Sequence, residues 1–272
     1  MTNKEARKKA DDGSLMNISV LIIGSPSLDH LVVNGDSHHV AGGAGLYTAL
    51  AAARAGAIVT IFAPRPEPMP EQLLFVERVM TWIGPVIGPE EVPRFHIIQS
   101  PTGSHYENAF FGAEEDLEPA QLPDDLAAFD LIHVVPLGGA TQQLSFLHAC
   151  RARGAKLLSA GTAHMIIEED PDRVVAVRAV SDLFFMNHVE SALLDKLPGN
   201  NRTPPGRTTF ITLGENGAVT QQGEYETQIH APETDNLDPT GAGDTFCGAT
   251  LSGYRCRAAS CHGGHLWITY GL

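Results

Sequence analysis

Apolar and polar positions alternate along this chain between two periods. Ile18 to Ile23 is a continuous β-branched and leucine run bounded by Gly24-Ser25-Pro26, the pattern of a strand buried on both faces. Ile58 to Phe62 reads as the next buried strand, and Leu131 to Val135, Lys156 to Ser159, Leu183 to Met186 and Thr208 to Leu213 read as further strands. Between them lie helical patterns: Leu46 to Ala55, closed by Gly56, then Glu71 to Trp82, Gln142 to Arg153, Asp172 to Val180 and His188 to Leu197. Ala218 to Gln221 and Tyr225 to His230 read as further strands. Strands alternating with helices predict an α/β domain with a mostly parallel central sheet, covered on both faces in a three-layer α/β/α sandwich.

Two segments break the alternation. Leu31 to Val33 and His38 to Val40 flank Asn34-Gly35, a hairpin signal. Phe95 to Gln99 and His105 to Phe111 flank Pro101-Thr102-Gly103. Both predict a small β lid, over roughly 30–41 and 94–111, rather than core. The polar stretch 1–15 has no apolar h-region and is expected to be a disordered extension, with the folded domain over 16–255. Pro64 to Pro70 reads as a proline-rich loop.

Composition narrows the classes. The chain has 272 residues, 43% of them apolar, enough for a sizeable core. A net charge of −14 argues against a nucleic-acid partner, which needs a basic face. The four cysteines are too sparse for a disulfide scaffold, so a cytoplasmic setting is expected. No apolar run approaches the roughly 20 residues that span a bilayer, so no membrane partner is expected.

Candidate chemistry gathers at Asp238-Pro239-Thr240-Gly241-Ala242-Gly243-Asp244-Thr245-Phe246. Glycines before a helical pattern let backbone N–H groups meet an anion at the positive end of the helix dipole. Asp244 in that nest could accept the proton of an attacking hydroxyl, or it could simply cap the helix. The third glycine of a dinucleotide fingerprint and the Gly-Lys-Ser/Thr of a Walker loop are both absent. Asn187 and Glu190, three apart at a strand-to-helix junction, read either as a helix cap or as an amide and carboxylate suited to hydrated Mg²⁺. Asp29 is either a turn residue or a reader of paired hydroxyls.

Asp238 to Ala249 resembles the C-terminal signature of the ribokinase-like (phosphofructokinase B type) carbohydrate kinase family. Val40-Ala41-Gly42-Gly43-Ala44-Gly45 is similar to that family's glycine-pair signature. Asn187-His188-Val189-Glu190 is similar to its Asn-x-x-Glu motif, and Thr212-Leu213-Gly214-Glu215-Asn216-Gly217 to its nucleotide-side turn. The motifs stand in family order over 18–255.

The resemblance implies an ATP-dependent phosphotransferase acting on a hydroxyl of a sugar, polyol or nucleoside. It gives Asp244 the role of general base and the amides of Gly241, Ala242 and Gly243 that of anion hole. Asp29, Gly42, Gly43 and Tyr47 fall on the substrate side. Asn187, Glu190, Thr212, Gly214, Gly217, Asp238 and Thr240 fall on the ATP side, with Mg²⁺ held through water by Glu190 and Asn187, and with Asp238 tied either to a monovalent cation or to the loop geometry. In that family lids often meet across a homodimer, but lid edges can also stay single, so the resemblance leaves both states open.

Three departures qualify this. Tyr47 stands where the family has a sugar-binding Asn, which predicts a larger, flatter or less polar acceptor. Pro64-Arg65-Pro66-Glu67-Pro68 replaces a Gly-Asp-x-x-Gly segment, and Arg65 either meets an anionic group or decorates a loop. After residue 255 the Ala-rich helices of the family are replaced by an atypical tail over 256–272. Its Cys256, Cys261, His262 and His265 match no common zinc spacing, so a truncated or frameshifted end is expected, with poor stability, self-association and weak or absent activity. The alternative function is a non-catalytic sugar- or nucleotide-binding relative.

Overall fold

The computed structural model describes residues 17–33, 35–100, 103–197, 203–232 and 240–254. The 1–15 extension, Asn34, Asp238 and the 256–272 tail lie outside the described residues.

A nine-stranded sheet forms the body. The strands are β1 (Ser19–Ile23), β4 (Ile58–Phe62), β6 (Thr81–Ile83), β10 (Leu131–Val134), β11 (Leu158–Gly161), β12 (Leu183–Asn187), β13 (Thr208–Thr212), β14 (Ala218–Gln222) and β15 (Tyr225–Ile229). Their order is β15-β14-β13-β12-β11-β10-β1-β4-β6. Pairing is parallel from β6 to β13, and the β14–β15 hairpin adds two antiparallel strands at one edge. Val20, Leu21, Ile22 and Ile23 point alternately to the two faces and all are 0% exposed, so both faces are covered. This is the mostly parallel α/β architecture that the apolar runs predict.

Helix α1 (Ala44–Arg54) packs over β1 and β4 and against α7 (Ala242–Gly253). Helices α3 (Ala140–Ala152) and α5 (Pro171–Val180) pack together beside β11. Asp170 starts α5 by accepting from Arg173 N (3.0 Å), with Pro171 in the first turn. The short helices α4 (His164–Glu169) and α6 (His188–Leu194) contact each other.

The helix expected over Glu71 to Trp82 breaks into a 3₁₀ turn, the single turn α2 (Val76–Val79) and the edge strand β6. Thr60, Ile61 and Phe62 take Thr81, Trp82 and Ile83 as parallel partners, and Trp82 Nε1 donates to Ala63 O (3.2 Å). Pairing with a ready-made strand edge overrides the local helical period. The Pro64 to Pro70 loop holds a two-residue strand, β5 (Arg65–Pro66), paired with β7 (Val86–Ile87).

A separate four-stranded sheet stands where the lid was expected. It is made of β2 (Ser27–Val33), β3 (Asp36–Gly42), β8 (Arg94–Ser100) and β9 (Gly103–Phe110), in the order β3-β2-β8-β9. His39, His30 and His96 fall in register across three strands, and their rings stack at centroid distances of 4.9 and 4.6 Å. Among the described residues no helix is long and apolar enough to cross a membrane.

Candidate active site

The strands run outward from β1 in two directions, to β4 and β6 on one side and to β10 and beyond on the other. Ligands of open α/β sheets bind at such a switch, outside the carboxyl ends of the strands. Gly24 ends β1 there so tightly that a Cβ would stand 2.0 Å from Val135 Cγ2 at the end of β10.

Asp29 lies on β2 beside this point. It is 3% exposed, and its Oδ1 has no hydrogen-bond partner among the described residues. Burial pushes its carboxyl up to about 6, against the pull of the Ser27 side chain and the Phe95 backbone. Gly42 leaves room for it: a Cβ there would stand 2.0 Å from Asp29 Oδ2. Gly43 has φ +95° and precedes α1, and a Cβ on it would meet Ser25 O at 2.7 Å. Asp29 is thus no ordinary turn residue. Beside it is a cleft of about 210 Å³ lined by Leu28, Asp29, His39, Val40, Gln72 and Arg94.

Helix α7 starts next to α1. Tyr47 packs on Gly241, Thr48 and Ala51 on Gly248, and Ser252 Oγ donates to Ala55 O (2.8 Å), so the two helices run parallel. Both N-termini therefore face the same end of the sheet. Gly241 sits at φ +71° before α7, and the helix ladder opens with Thr245 N donating to Gly241 O (2.8 Å). The amides of 242–244 lie ahead of that bond, and Ala242 and Gly243 are exposed. Asp244 is half-buried, and desolvation pushes its carboxyl up to about 6. Tyr47 comes so near that a Cβ on Gly241 would lie 2.5 Å from its Cδ2. The residue that departs from the family pattern thus supports the turn before Asp244.

Asn187 and Glu190 form a capping box. Asn187 Oδ1 accepts from the amides of Val189 and Glu190 (2.9 Å each), and Glu190 Oε2 accepts from Asn187 N (2.8 Å). The cap reading is therefore realised, yet Glu190 is no surface residue. It is 6% exposed and pushed up to about 7 by desolvation, with the nearby charge of Asp244 adding to the rise and His164 opposing it. The cap brings a buried carboxyl within electrostatic reach of Asp244. On its β13 side, Thr212 leads into the Gly214–Asn216 turn. Gly214 (φ +61°) faces open space, whereas Gly217 (φ +87°) lies against Ile229 O of β15 and serves the hairpin. Thr240 is half-buried just before Gly241. Arg65 is engaged by a carboxylate of its own surroundings: its Nη2 pairs with Glu77 Oε1 at 2.6 Å.

Residues 95–256 match the family described as pfkB family carbohydrate kinase. The chain belongs to that family. This pfkB-family kinase is 23% identical over 247 residues to a cytidine kinase of Thermococcus kodakarensis, covering 87% of this chain and 88% of that protein. It shares its fold with the adenosine kinase of Sinorhizobium meliloti, at a TM-score of 0.72 and 18% identity over 88% of each chain. It shares it also with the ribokinase of Cryptococcus neoformans solved with ADP, at a TM-score of 0.71 and 19% identity over 87% of this chain and 86% of that one.

Two buried polar side chains near the carboxyl ends of the strands have no signature in the kinase's sequence. Glu114, in an acidic run that reads as solvated surface, is 6% exposed, and its Oε2 accepts from Ser25 N at 2.6 Å. Gln143 is buried in α3, and its Nε2 donates to Val134 O (3.0 Å), Val135 O (3.1 Å) and Gly161 O (2.8 Å), tying together the ends of β10 and β11.

The raised carboxyls make stability depend on pH. Asp29 and Asp244 are pushed to about 6, and Glu114 and Glu190 to about 7, all above their unfolded values. Their contribution is full below the unfolded values and is lost as pH rises through 6 to 7. His133 acts in the opposite sense: burial lowers it to about 3, so it costs stability as pH falls below its unfolded value of 6.5. The ligand-free protein is expected to lose thermal stability between about pH 5 and about pH 8, with a shallower loss in Asp29→Asn. Melting temperatures across that range check this; equal slopes in the two proteins contradict it.

Proposed function

We propose that this chain transfers the γ-phosphoryl group of ATP to a hydroxyl of a sugar, polyol or nucleoside. The observation that carries the reading is the parallel pair α1 and α7. It sets the Gly42–Gly43 turn with Asp29 beside the Gly241–Gly243 turn with Asp244. Asp29, buried with an unsatisfied oxygen, accepts hydrogen bonds from acceptor hydroxyls. Asp244 takes the proton of the attacking hydroxyl, a role worth about 10²–10⁴-fold in rate. The leading amides of α7 and its positive end oppose the charge that develops on the phosphoryl oxygens. The smaller sheet excludes water from the reaction.

The donor set also fits a divalent cation. Glu190 and Asp244 are carboxylates that each resist ionisation, and a nearby cation relieves that strain. Mg²⁺, held through water by Glu190, would supply charge neutralisation of the phosphates. Asn187 Oδ1 is taken by two backbone amides, so that residue offers its Nδ2 donor to a phosphate oxygen rather than an oxygen to the metal. Thr212 and Gly214 border the nucleotide.

Nucleosides stand first among acceptors, because two similar proteins are a cytidine kinase and an adenosine kinase. ADP release is measured with ATP, Mg²⁺ and a panel of cytidine, adenosine, inosine, ribose and fructose. At least one acceptor is expected to stimulate ADP formation, and Asp29→Asn to raise its KM about tenfold or more. Acceptor binding by calorimetry without ADP formation would instead support the non-catalytic binder.

A further inference from the structure

Glu114 belongs to none of the motifs that suggested chemistry. It ends the 3₁₀ turn Gly112–Glu114, a few residues after β9 leaves the smaller sheet. A glutamate in such a connector normally faces water. This one is 6% exposed, and among the described residues no lysine, arginine or histidine pairs with it. Its partner is instead a backbone group across the molecule, the Ser25 amide, at 2.6 Å. A carboxyl oxygen accepts this bond whether or not the group is ionised.

The turn that presents Glu114 is fixed from two sides. Gln142 Nε2, on α3 of the body, donates to Glu114 O (2.8 Å) and Leu117 O (3.0 Å). Gly112, at φ +53°, lies against the backbone of Glu91, where a Cβ would come 2.1 Å from the carbonyl oxygen. Residue 91 leads into β8 of the smaller sheet.

The receiving end is equally constrained. Ser25 O faces Gly43, and Ser27 N is 3.0 Å from the place a Gly43 Cβ would take. A Cβ on Gly45 would lie 2.2 Å from Gly24 O and 2.9 Å from Ser25 O. Four residues past Ser25 comes Asp29. A shift of the Ser25 peptide therefore moves the floor on which the Gly42–Gly43 turn rests and the start of the strand that carries Asp29.

We infer that Glu114 is a positioning residue for the acceptor site: through the Ser25 amide it sets the Gly42–Gly43 turn and Asp29, and it ties both to the root of the smaller sheet. The inference rests on reading that turn and Asp29 as the place where the acceptor binds. Glu114 touches no reacting atom and acts through Ser25.

Two kinds of measurement test it on the full chain. Amide hydrogen exchange reads the Ser25 contact directly, whatever the enzyme turns over. In E114A, exchange at residues 24–29 and 43–46 is expected to quicken by about tenfold or more, with α3 and α5 unchanged. In E114Q, which keeps an acceptor oxygen at the same reach, protection is expected to return to near that of the parent. The second measurement is steady-state kinetics with the acceptor from the panel above that gives most ADP. E114A is expected to raise the KM for that acceptor about tenfold, with the KM for ATP and kcat within about threefold, and E114Q to restore it. Should E114A not fold, E114D, which withdraws the carboxyl by one methylene, carries the same expectations. Unchanged exchange at residues 24–29 overturns the inference, as does a fall in kcat with both KM values rising together. If no acceptor is turned over by the parent, the kinase reading fails by itself, and the exchange data alone decide whether Glu114 holds the turn.

Discussion

Asp244→Asn is expected to leave the fold and nucleotide binding in place and to lower turnover by about 10²–10⁴-fold. Asparagine keeps the size and polarity of the side chain in the first turn of α7. The leading amides of that helix, which are proposed to meet the phosphoryl group, belong to the backbone and survive the exchange. What is lost is a proton acceptor whose strength is set by its place. Desolvation holds the carboxyl near 6, above its ordinary 3.8, so it is a stronger base than a surface aspartate while still ionised at neutral pH. The same substitution removes the charge that helps keep the Glu190 proton in place, so the Glu190 carboxyl is expected to ionise more readily. Turnover, with ATP affinity measured by calorimetry, checks the assignment. A variant that retains turnover within about threefold of the parent removes Asp244 from the role of base.

Gly248→Ala is expected to lower the melting temperature by about 5–10 °C and to reduce activity further than the loss of folded protein explains. The added Cβ would stand 2.1 Å from Thr48 O and 2.9 Å from the Ala51 Cβ. Thr48 O belongs to the backbone of α1, so no side chain can turn aside and the helices must separate. Thr48 is 0% exposed, and α1 rests on the buried β1, so α1 has little room to retreat. Overpacking of this kind typically costs about 1–3 kcal/mol. Separation also lifts Tyr47 from Gly241 and alters the turn before Asp244. Calorimetric melting and kcat per folded molecule measure the two effects. An unchanged melting temperature would mean that the helices adjust freely and that their contact does not set the site.

Much of this was legible in the chain itself, for reasons that differ by element. Val20 to Ile23 read as a buried strand because a doubly covered strand needs apolar residues on both faces; Ile58 to Phe62 was legible as a strand too, but Ile58 at its start is 60% exposed and Thr60 is half-buried. Gly42, Gly43 and Gly241 were legible because close backbone approach leaves only glycine, and the positions of Asp29 and Ser25 give the reason for the first two. Thr81 to Ile83 was not legible as a strand. Its place depends on the free edge of β4, which no local period records. Asn187 and Glu190 offered two readings, a cap or a phosphate-side pair. Geometry makes the cap real and buries Glu190 beside Asp244, so the two are compatible. Glu114 could not be found in advance, because Glu114-Glu115-Asp116 has the composition of solvated surface. Its role depends on a partner 89 positions away. The histidine stack likewise needs the register of three strands before residues 30, 39 and 96 become neighbours.

The parallel contact of α1 and α7 has a mechanical consequence. Because one helix face locks onto the other through Gly248, the gap between the Gly42–Gly43 turn that precedes α1 and the Gly241–Gly243 turn that precedes α7 is fixed when the chain folds. The two turns act as a fixed anvil. If the smaller sheet acts as proposed, closing strokes fall to it, and it meets the body near Ser25, Gly42 and Glu114 and carries Asp29 on β2. On the proposed mechanism, binding an acceptor at Asp29 would bring that sheet down onto a pair of turns that does not move.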